Sequence, residues 1–155
     1  MAVVDLLELP ALLPRYAAVV GLDLGEKTIG VAVSDAGRSI ASPLGLIRKT
    51  KFTDDAKALF KLMDSRNAGG LLIGLPVNMD GTEGARAQSN RAFARNILRL
   101  REVPIAFWDE RMSTMAVNRM LIDEHDMTRA RRAEVVDKAA AAWILQGALD
   151  RLRNL

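Results

Sequence analysis

Three carboxylate positions stand out because their neighbours offer them little polar company. Asp23 interrupts the apolar run Val19-Val20-Gly21-Leu22-Asp23-Leu24, where an ionised side chain is costly unless something pairs with it. Asp109-Glu110 follow the apolar segment Pro104 to Trp108. Asp137 lies in Val135-Val136-Asp137-Lys138-Ala139-Ala140-Ala141-Ala142-Trp143, which has almost no other polar residue on that side of a helix. Converging carboxylates in a chain with no Cys and a single His form an oxygen-rich set. Such a set suits Mg²⁺ or Mn²⁺ rather than zinc. Two such ions ~4 Å apart can clamp the attacking and leaving oxygens of a phosphodiester during in-line displacement. Plainer readings stand beside this one. Asp is a common turn former, Lys138 or an arginine can neutralise Asp137, and in a strand only one of Asp109 and Glu110 faces a given site. His125 has no second His or Cys nearby and is expected at the surface.

The elements that must bring these residues together can be followed along the chain. Tyr16 to Leu24 and Ile29 to Val33 are two apolar runs joined by Gly25-Glu26-Lys27-Thr28, the pattern of a hairpin whose strands are covered on both faces. Gly21, Gly25 and Gly30 would let another group approach its backbone. Ser39 to Arg48 reads as a third strand, and Ser42-Pro43 within it points to an edge or a kink. Thr53 is expected to cap a helix from Asp54, with Ala56, Leu59, Phe60 and Met63 at helical spacing and Asn67 and Gly69 as its stop. Gly70 to Leu75 is a short buried strand running into a turn-rich loop, Gly74 to Gly84. That loop lacks the Gly-Lys-Ser/Thr ending of a nucleotide-binding loop, although its amides could still meet a phosphate at the next helix. The helix from Gly84 to Arg101 buries Phe93, Ile97 and Leu100 and carries Arg91, Arg95 and Arg99 as a stripe. Pro104 to Trp108 is a further strand. Ser113 is expected to cap a helix holding Ala116, Val117, Met120 and Leu121. His125 to Arg132 reads as a loop, and a last helix from Ala133 to Arg153 has Val136, Ala140, Trp143, Ile144 and Ala148 as its core stripe. The order β-β-β-α-β-α-β-α-α specifies an α/β fold with a mixed five-stranded sheet, an antiparallel meander followed by parallel strands joined by right-handed crossovers. Open sheets of this kind gather ligands at the carboxyl ends of their strands.

Charge distribution points to the partner. The 155 residues carry 22 Lys and Arg against 19 Asp and Glu, so the net charge of +3 says little by itself. Between Gly84 and Arg101, however, Arg86, Arg91, Arg95, Arg99 and Arg101 occur without an acid, and Arg129, Arg131 and Arg132 cluster before the last helix. Arg86, Arg91, Arg95, Arg129, Arg131 and Arg132 are therefore candidate contacts to a polyanion, against the alternative of a solvated helix face. One domain, 1–155, is expected, with residues 1–15 as an arm or as a short helix from Val3 to Leu9 that ends before Pro10. The acids Asp5 and Glu8 precede any cation, the wrong order for a secretory signal, and no apolar run is long enough to span a bilayer. The expectation is a cytoplasmic, membrane-free protein, monomeric or homodimeric.

Taken together, Gly21-Leu22-Asp23-Leu24-Gly25 with Ile29-Gly30-Val31-Ala32-Val33-Ser34-Asp35, Gly74-Leu75-Pro76 with Asn78 and Asp80-Gly81-Thr82, Asp109-Glu110-Arg111, and Asp137-Lys138-Ala139-Ala140 with Ile144-Leu145 resemble the YqgF/RuvX family. The resemblance covers Val19 to Asp150 and leaves the first fifteen residues outside it. It implies an RNase H-like fold, as in RuvC-type resolvases, and a nuclease maturing the 5′ end of pre-16S ribosomal RNA, a family earlier proposed to resolve Holliday junctions. By the same resemblance Asp23, Glu110 and Asp137 are the catalytic metal ligands for Mg²⁺ or Mn²⁺, with Asp109 unassigned. Ser113 stands where Thr is more usual. The implied partner is structured RNA, with branched DNA as the alternative substrate and a non-cutting nucleic-acid-binding or transcription-associated factor as the alternative class. The Asp-x-Gly-x-x-x-Gly hairpin also resembles the phosphate loop of actin-like and sugar-kinase ATPases, but 155 residues leave no room for the second domain those enzymes need.

Overall fold

The computed structural model describes the backbone of residues 3–112 and 129–154, with the side chains of these residues apart from 112 and 129–138. Five strands, β1 (Ala18–Leu24), β2 (Thr28–Ser34), β3 (Ala41–Arg48), β4 (Ala68–Leu75) and β5 (Ile105–Asp109), form one sheet in the order β3-β2-β1-β4-β5. β1, β2 and β3 pair antiparallel, whereas β1 with β4 and β4 with β5 pair parallel. The meander and the parallel half thus stand as the sequence order requires. Pro43 lies on an edge strand, beside a register shift between Val31 and Ala32, which is where a residue without an amide hydrogen is tolerated.

Alternation along the strands divides the core into two layers. Val20, Leu22, Val31, Leu71 and Ile73 meet α2 (Phe52–Ser65) and α3 (Ala85–Leu100) through Leu59, Met63, Ala94 and Ile97. Val19, Ala32, Leu72 and Ala106 meet α4 (Arg129–Arg153) through Ala141, Ile144, Leu145 and Leu149. Asp23 falls on the α4 side with Val19 and Gly21. Among the described residues no helix is long and apolar enough to cross a membrane.

Several local expectations are corrected. The N-terminal segment is not a helix ending before Pro10. Val3 bridges to Ile105, a 3-10 turn covers Leu6–Glu8, and Pro10 sits in the first turn of α1 (Leu9–Leu12), where a missing amide hydrogen costs nothing. β1 starts at Ala18, because Tyr16 has φ of 66° and is 62% exposed. β3 starts at Ala41, after the Asp35 carboxylate has closed a turn on the amides of Ser39 and Ile40. α2 is capped at Lys51 without a side-chain bond rather than by Thr53. It ends at Ser65, Asn67 (φ 52°) turns the chain, and β4 begins already at Ala68. Leu100 is 52% exposed and Trp143 41% exposed, so neither belongs to the core faces assigned to them. Residues 129–132 form the first turn of α4 rather than a loop. The helix expected after Ser113, and His125, lie outside the described residues.

Candidate active site

Because β1, β4 and β5 run parallel, their carboxyl ends share one end of the sheet. Asp23 is the penultimate residue of β1, just before Leu24, and Glu110 opens a 3-10 turn (Glu110–Met112) directly after β5. β4 lies between them, and its residue at this level is Gly74, paired with Trp108. A Cβ on Gly74 would stand 2.7 Å from Glu110 Oε1 and 2.8 Å from Ile144 Cδ1. The bare backbone of β4 is thus what lets the Glu110 carboxyl lie across the strand and hydrogen-bond with Asp23. Burial, then the charge of Asp23 and that hydrogen bond, push the Glu110 carboxyl up to about 7, while the Arg86 guanidinium opposes the rise. Two carboxyls brought this close form an all-oxygen set whose mutual repulsion a cation would offset, the donor chemistry of a hard cation.

Asp109 has a different occupation. Its carboxylate takes Arg111 Nη2 at 2.6 Å, Arg111 Nε at 2.9 Å and the Arg111 amide at 2.9 Å. The guanidinium holds the Asp109 carboxyl below the usual range. Arg111 also donates to the carbonyl of Asn78 at 3.2 Å, tying the end of β5 to the loop after β4. That loop closes on itself. The amides of Asn78, Gly81 and Thr82 bond to Thr82 O, Asn78 O and Asp80 Oδ1, and Gly81 takes φ of 89°. These three amides are engaged inside the loop. Asn90, buried on α3, donates to the carbonyl of Gly74 at 2.8 Å and secures the strand end from the opposite face.

The helix bearing Asp137 runs antiparallel to β1. Leu145 and Ala141 sit against Gly21, whose added Cβ would come 2.8 Å from Leu145 Cβ. Further along, Gln146 bonds Ser39 and Ala41 beside the start of β1, and Arg153 lies within electrostatic range of Asp35. Stepping back one helical turn from Ala141, ~6 Å, matches the two-residue strand step from Gly21 to Asp23. The backbone of Asp137 therefore comes level with Asp23, and the small residues expected to allow a close approach do so at Gly21. The Asp137 side chain, like those of Arg129, Arg131 and Arg132, lies outside the described residues. Among the described residues no group of three His, Cys, Asp or Glu side chains is assembled. The described pair is Asp23 with Glu110.

The arginines separate by position. Arg86, in the first turn of α3, reaches the Leu24 carbonyl at 3.5 Å beside the carboxyl pair. From there the stripe recedes, because Arg95 and Arg99 lie nine and thirteen residues further along a helix rising ~1.5 Å per residue. Both are exposed. Arg91 forms a forked ion pair with Glu83, 2.6 and 2.7 Å, and lies over the Phe107 ring, and Arg101 pairs with Asp64. Sequence reasoning missed Gly74, Asn90 and Arg111. Each acts on a neighbour brought in by the sheet, and only the Gly-Leu-Pro at the strand end hinted at the first.

Residues 17–151 match the RuvX family, described as Holliday junction resolvase. A protein of Phenylobacterium zucineum, provisionally named pre-16S rRNA nuclease, is 83% identical over 156 residues, covering 100% of both chains. Relatives with the same name from Caulobacter vibrioides and Paracoccus denitrificans are 69% identical over all of both chains and 65% identical over 92% of this chain and 90% of the other. Among solved structures, Thermus thermophilus RuvC in complex with a Holliday junction substrate superposes with a TM-score of 0.52 at 12% identity, over 88% of this chain and 96% of that one. At that identity the likeness is one of fold, the RNase H-like sheet. By its sequence the chain belongs to the RuvX family and is a nuclease, hydrolysing phosphodiester bonds.

Proposed function

We propose that this nuclease acts in the cytoplasm on structured precursor RNA, trimming the 5′ end of pre-16S ribosomal RNA, with Mg²⁺ or Mn²⁺ held by Asp23, Glu110 and Asp137. The observation that carries the metal reading is the carboxyl pair. Asp23 and Glu110 lie within hydrogen-bonding reach at the carboxyl end of the sheet, where burial and mutual repulsion disfavour both being ionised, an arrangement that a divalent cation would relieve. Bound there, divalent ions would polarise the scissile phosphate and activate the attacking water. The protein's own part is positional. Gly74 opens the space for Glu110, Asn90 and the Asp109–Arg111 pair hold the strand ends, and Arg86 offers a cation to a phosphate oxygen beside the carboxylates. The names of the close relatives support RNA as substrate.

The test incubates purified protein with precursor ribosomal RNA and with a four-way DNA junction, in Mg²⁺, in Mn²⁺ and in EDTA. The expected result is metal-dependent cutting of the RNA. Asp23→Asn, Glu110→Gln and Asp137→Asn should each abolish cutting while nucleic-acid binding is nearly retained, and full activity in any one would remove that residue from the set. Cutting in EDTA would end the metal mechanism. The description of the matched family favours a second reading, resolution of branched DNA. It becomes the better one if only the junction is cut.

A further inference from the structure

The cations that flank the carboxyl pair most openly are lysines outside both arginine clusters. β2 begins and β3 ends at the same sheet end as Asp23, with Thr28 paired to Arg48 and Leu24 to Ile29. Just past these residues the hairpin turn and the β3–α2 connection lie side by side, joined by a 2.9 Å bond from the Lys49 amide to the Lys27 carbonyl. Together the segments Gly25–Thr28 and Arg48–Lys51 hold Lys27, Arg48, Lys49 and Lys51 against one acid, Glu26. Lys27, Lys49 and Lys51 are all exposed, and none is ion-paired among the described residues.

The connection that presents them is held in place. Asp55, 6% exposed at the start of α2, accepts the Thr50 amide at 3.0 Å and the Thr50 hydroxyl at 3.2 Å. Its charge is thereby spent on the loop backbone rather than on the adjacent lysines. Arg111 and Arg86, the described cations nearest the carboxyl pair, already have partners within the protein. Arg111 is paired with Asp109, and Arg86 faces Glu110 and the Leu24 carbonyl.

A polyanion approaching a carboxylate site meets repulsion that neighbouring cations must offset. We infer that Lys27, Lys49 and Lys51 form a ledge binding the phosphate backbone of the nucleic-acid substrate as it leaves the active site. β3 lies two strands from β1, ~10 Å away, which a strand of a few nucleotides spans. The inference rests on the nuclease reading for its ligand and adds a binding surface that the arginine stripe, receding from the carboxylates, does not supply.

The test measures equilibrium binding of a labelled RNA hairpin and a labelled four-way DNA junction in EDTA across a salt series. It compares wild type with Lys27→Ala/Lys49→Ala/Lys51→Ala. The variant should bind both probes at least ~10-fold more weakly near physiological salt, with the slope of log affinity against log salt reduced by about two. The same lysines changed to Arg should restore both quantities, and a thermal melt confirms that each variant is folded. Lys57→Ala/Lys61→Ala on the exposed face of α2 removes two positive charges elsewhere and should change little. Unchanged affinity and slope in the ledge variant would overturn the inference, as would an equal loss in the α2 control. Binding in EDTA needs no cutting. A protein that cuts nothing but loses affinity with the ledge variant would therefore support the ledge while removing the metal-dependent reaction.

Discussion

Gly74 and Glu110 share one space at the end of β4. The carboxyl of Glu110 occupies the place where a side chain on Gly74 would stand, 2.7 Å from its Oε1, with Ile144 closing the same gap at 2.8 Å. A glycine in the middle of a buried sheet weakens it, so its presence here points to close approach by another group. The group is half of the carboxyl pair.

Gly74→Ala is therefore expected to act on catalysis more than on folding. Overpacking of a tight site costs about 1–3 kcal/mol, and the movable partner is the Glu110 side chain rather than backbone. Cleavage should fall at least ~10-fold with nucleic-acid binding kept. Gly147→Ala provides the comparison, since its Cβ would meet the Trp108 ring at 3.0 Å, away from the carboxyls. That variant should lose stability and keep more of its rate. Single-turnover cleavage beside thermal melts separates the two. A Gly74→Ala protein cutting at the wild-type rate would mean Glu110 is not needed where it lies.

The Glu110 carboxyl, raised to about 7 from an ordinary 4.5, couples folding to pH. Between those values the folded protein binds more protons than the unfolded chain, so stability falls as pH rises. This contribution is full below about pH 4.5 and gone above about pH 7. Asp35, Asp64, Asp80, Glu83 and Asp109 have lowered values and act in the opposite sense, losing stability only as pH falls into the acid range. Melts in EDTA from about pH 5 to 8 should show a declining midpoint that Glu110→Gln flattens. Added Mg²⁺ should stabilise wild type chiefly at the upper end of that range, by binding the ionised folded form. A midpoint that rises steadily with pH in EDTA would mean that Glu110 ionises freely.

Arg111 joins Asp109 to the carbonyl of Asn78, so its loss should loosen the loop after β4 rather than unfold the protein. The pair is partly exposed, and pairs of that kind contribute at most ~1 kcal/mol. Arg111→Ala should leave the melt nearly unchanged and lower the cleavage rate through misplacement of Glu110, one residue away. Proteolysis within Asn78 to Thr82 should quicken. An unchanged rate together with unchanged proteolysis would reduce the pair to surface decoration.

Much of this arrangement is legible without coordinates. Asp23 is visible because it breaks an apolar run, and the order of strands and helices dictates a meander followed by parallel pairs. Gln, Glu and Asp partners distant in sequence are not visible in that way. The arginines between Gly84 and Arg101 look free because no acid lies among them, yet Glu83 just before α3 pairs with Arg91 and Asp64 of α2 pairs with Arg101. Residues 129–132 look like a loop because they are polar, whereas arginine is a good helix former and the backbone there extends α4. The role of Gly74 depends on which residue follows β5, a fact of sheet order rather than of local spacing. The lysine ledge was hidden for a similar reason, since its parts are some twenty residues apart and meet only through the pairing of β2 with β3.

Gln146 links the stability of the fold to the position of Asp137. From α4 its amide nitrogen donates to the Ser39 carbonyl at 2.9 Å, and its oxygen accepts the Ala41 amide at 2.8 Å. The bonds reach the first residue of the edge strand β3 and the turn just before it, where no further strand pairs. They fix the helix along its own axis. Apolar packing at Ala141, Ile144 and Leu145 sets its distance from the sheet but resists sliding less well, because dispersion contacts are not directional. Gln146→Leu keeps much of the volume and removes both bonds, leaving two backbone groups to find other partners. A loss of about 1–3 kcal/mol is expected. If the register of α4 also sets the third carboxylate, cleavage should fall further than the lost stability explains, and a higher Mg²⁺ concentration should restore part of it. Denaturant unfolding together with a Mg²⁺ titration of the cleavage rate, at a temperature where both proteins are fully folded, decides this. A variant that is less stable yet cuts at the wild-type rate with the wild-type Mg²⁺ dependence would show that the helix holds its register without Gln146.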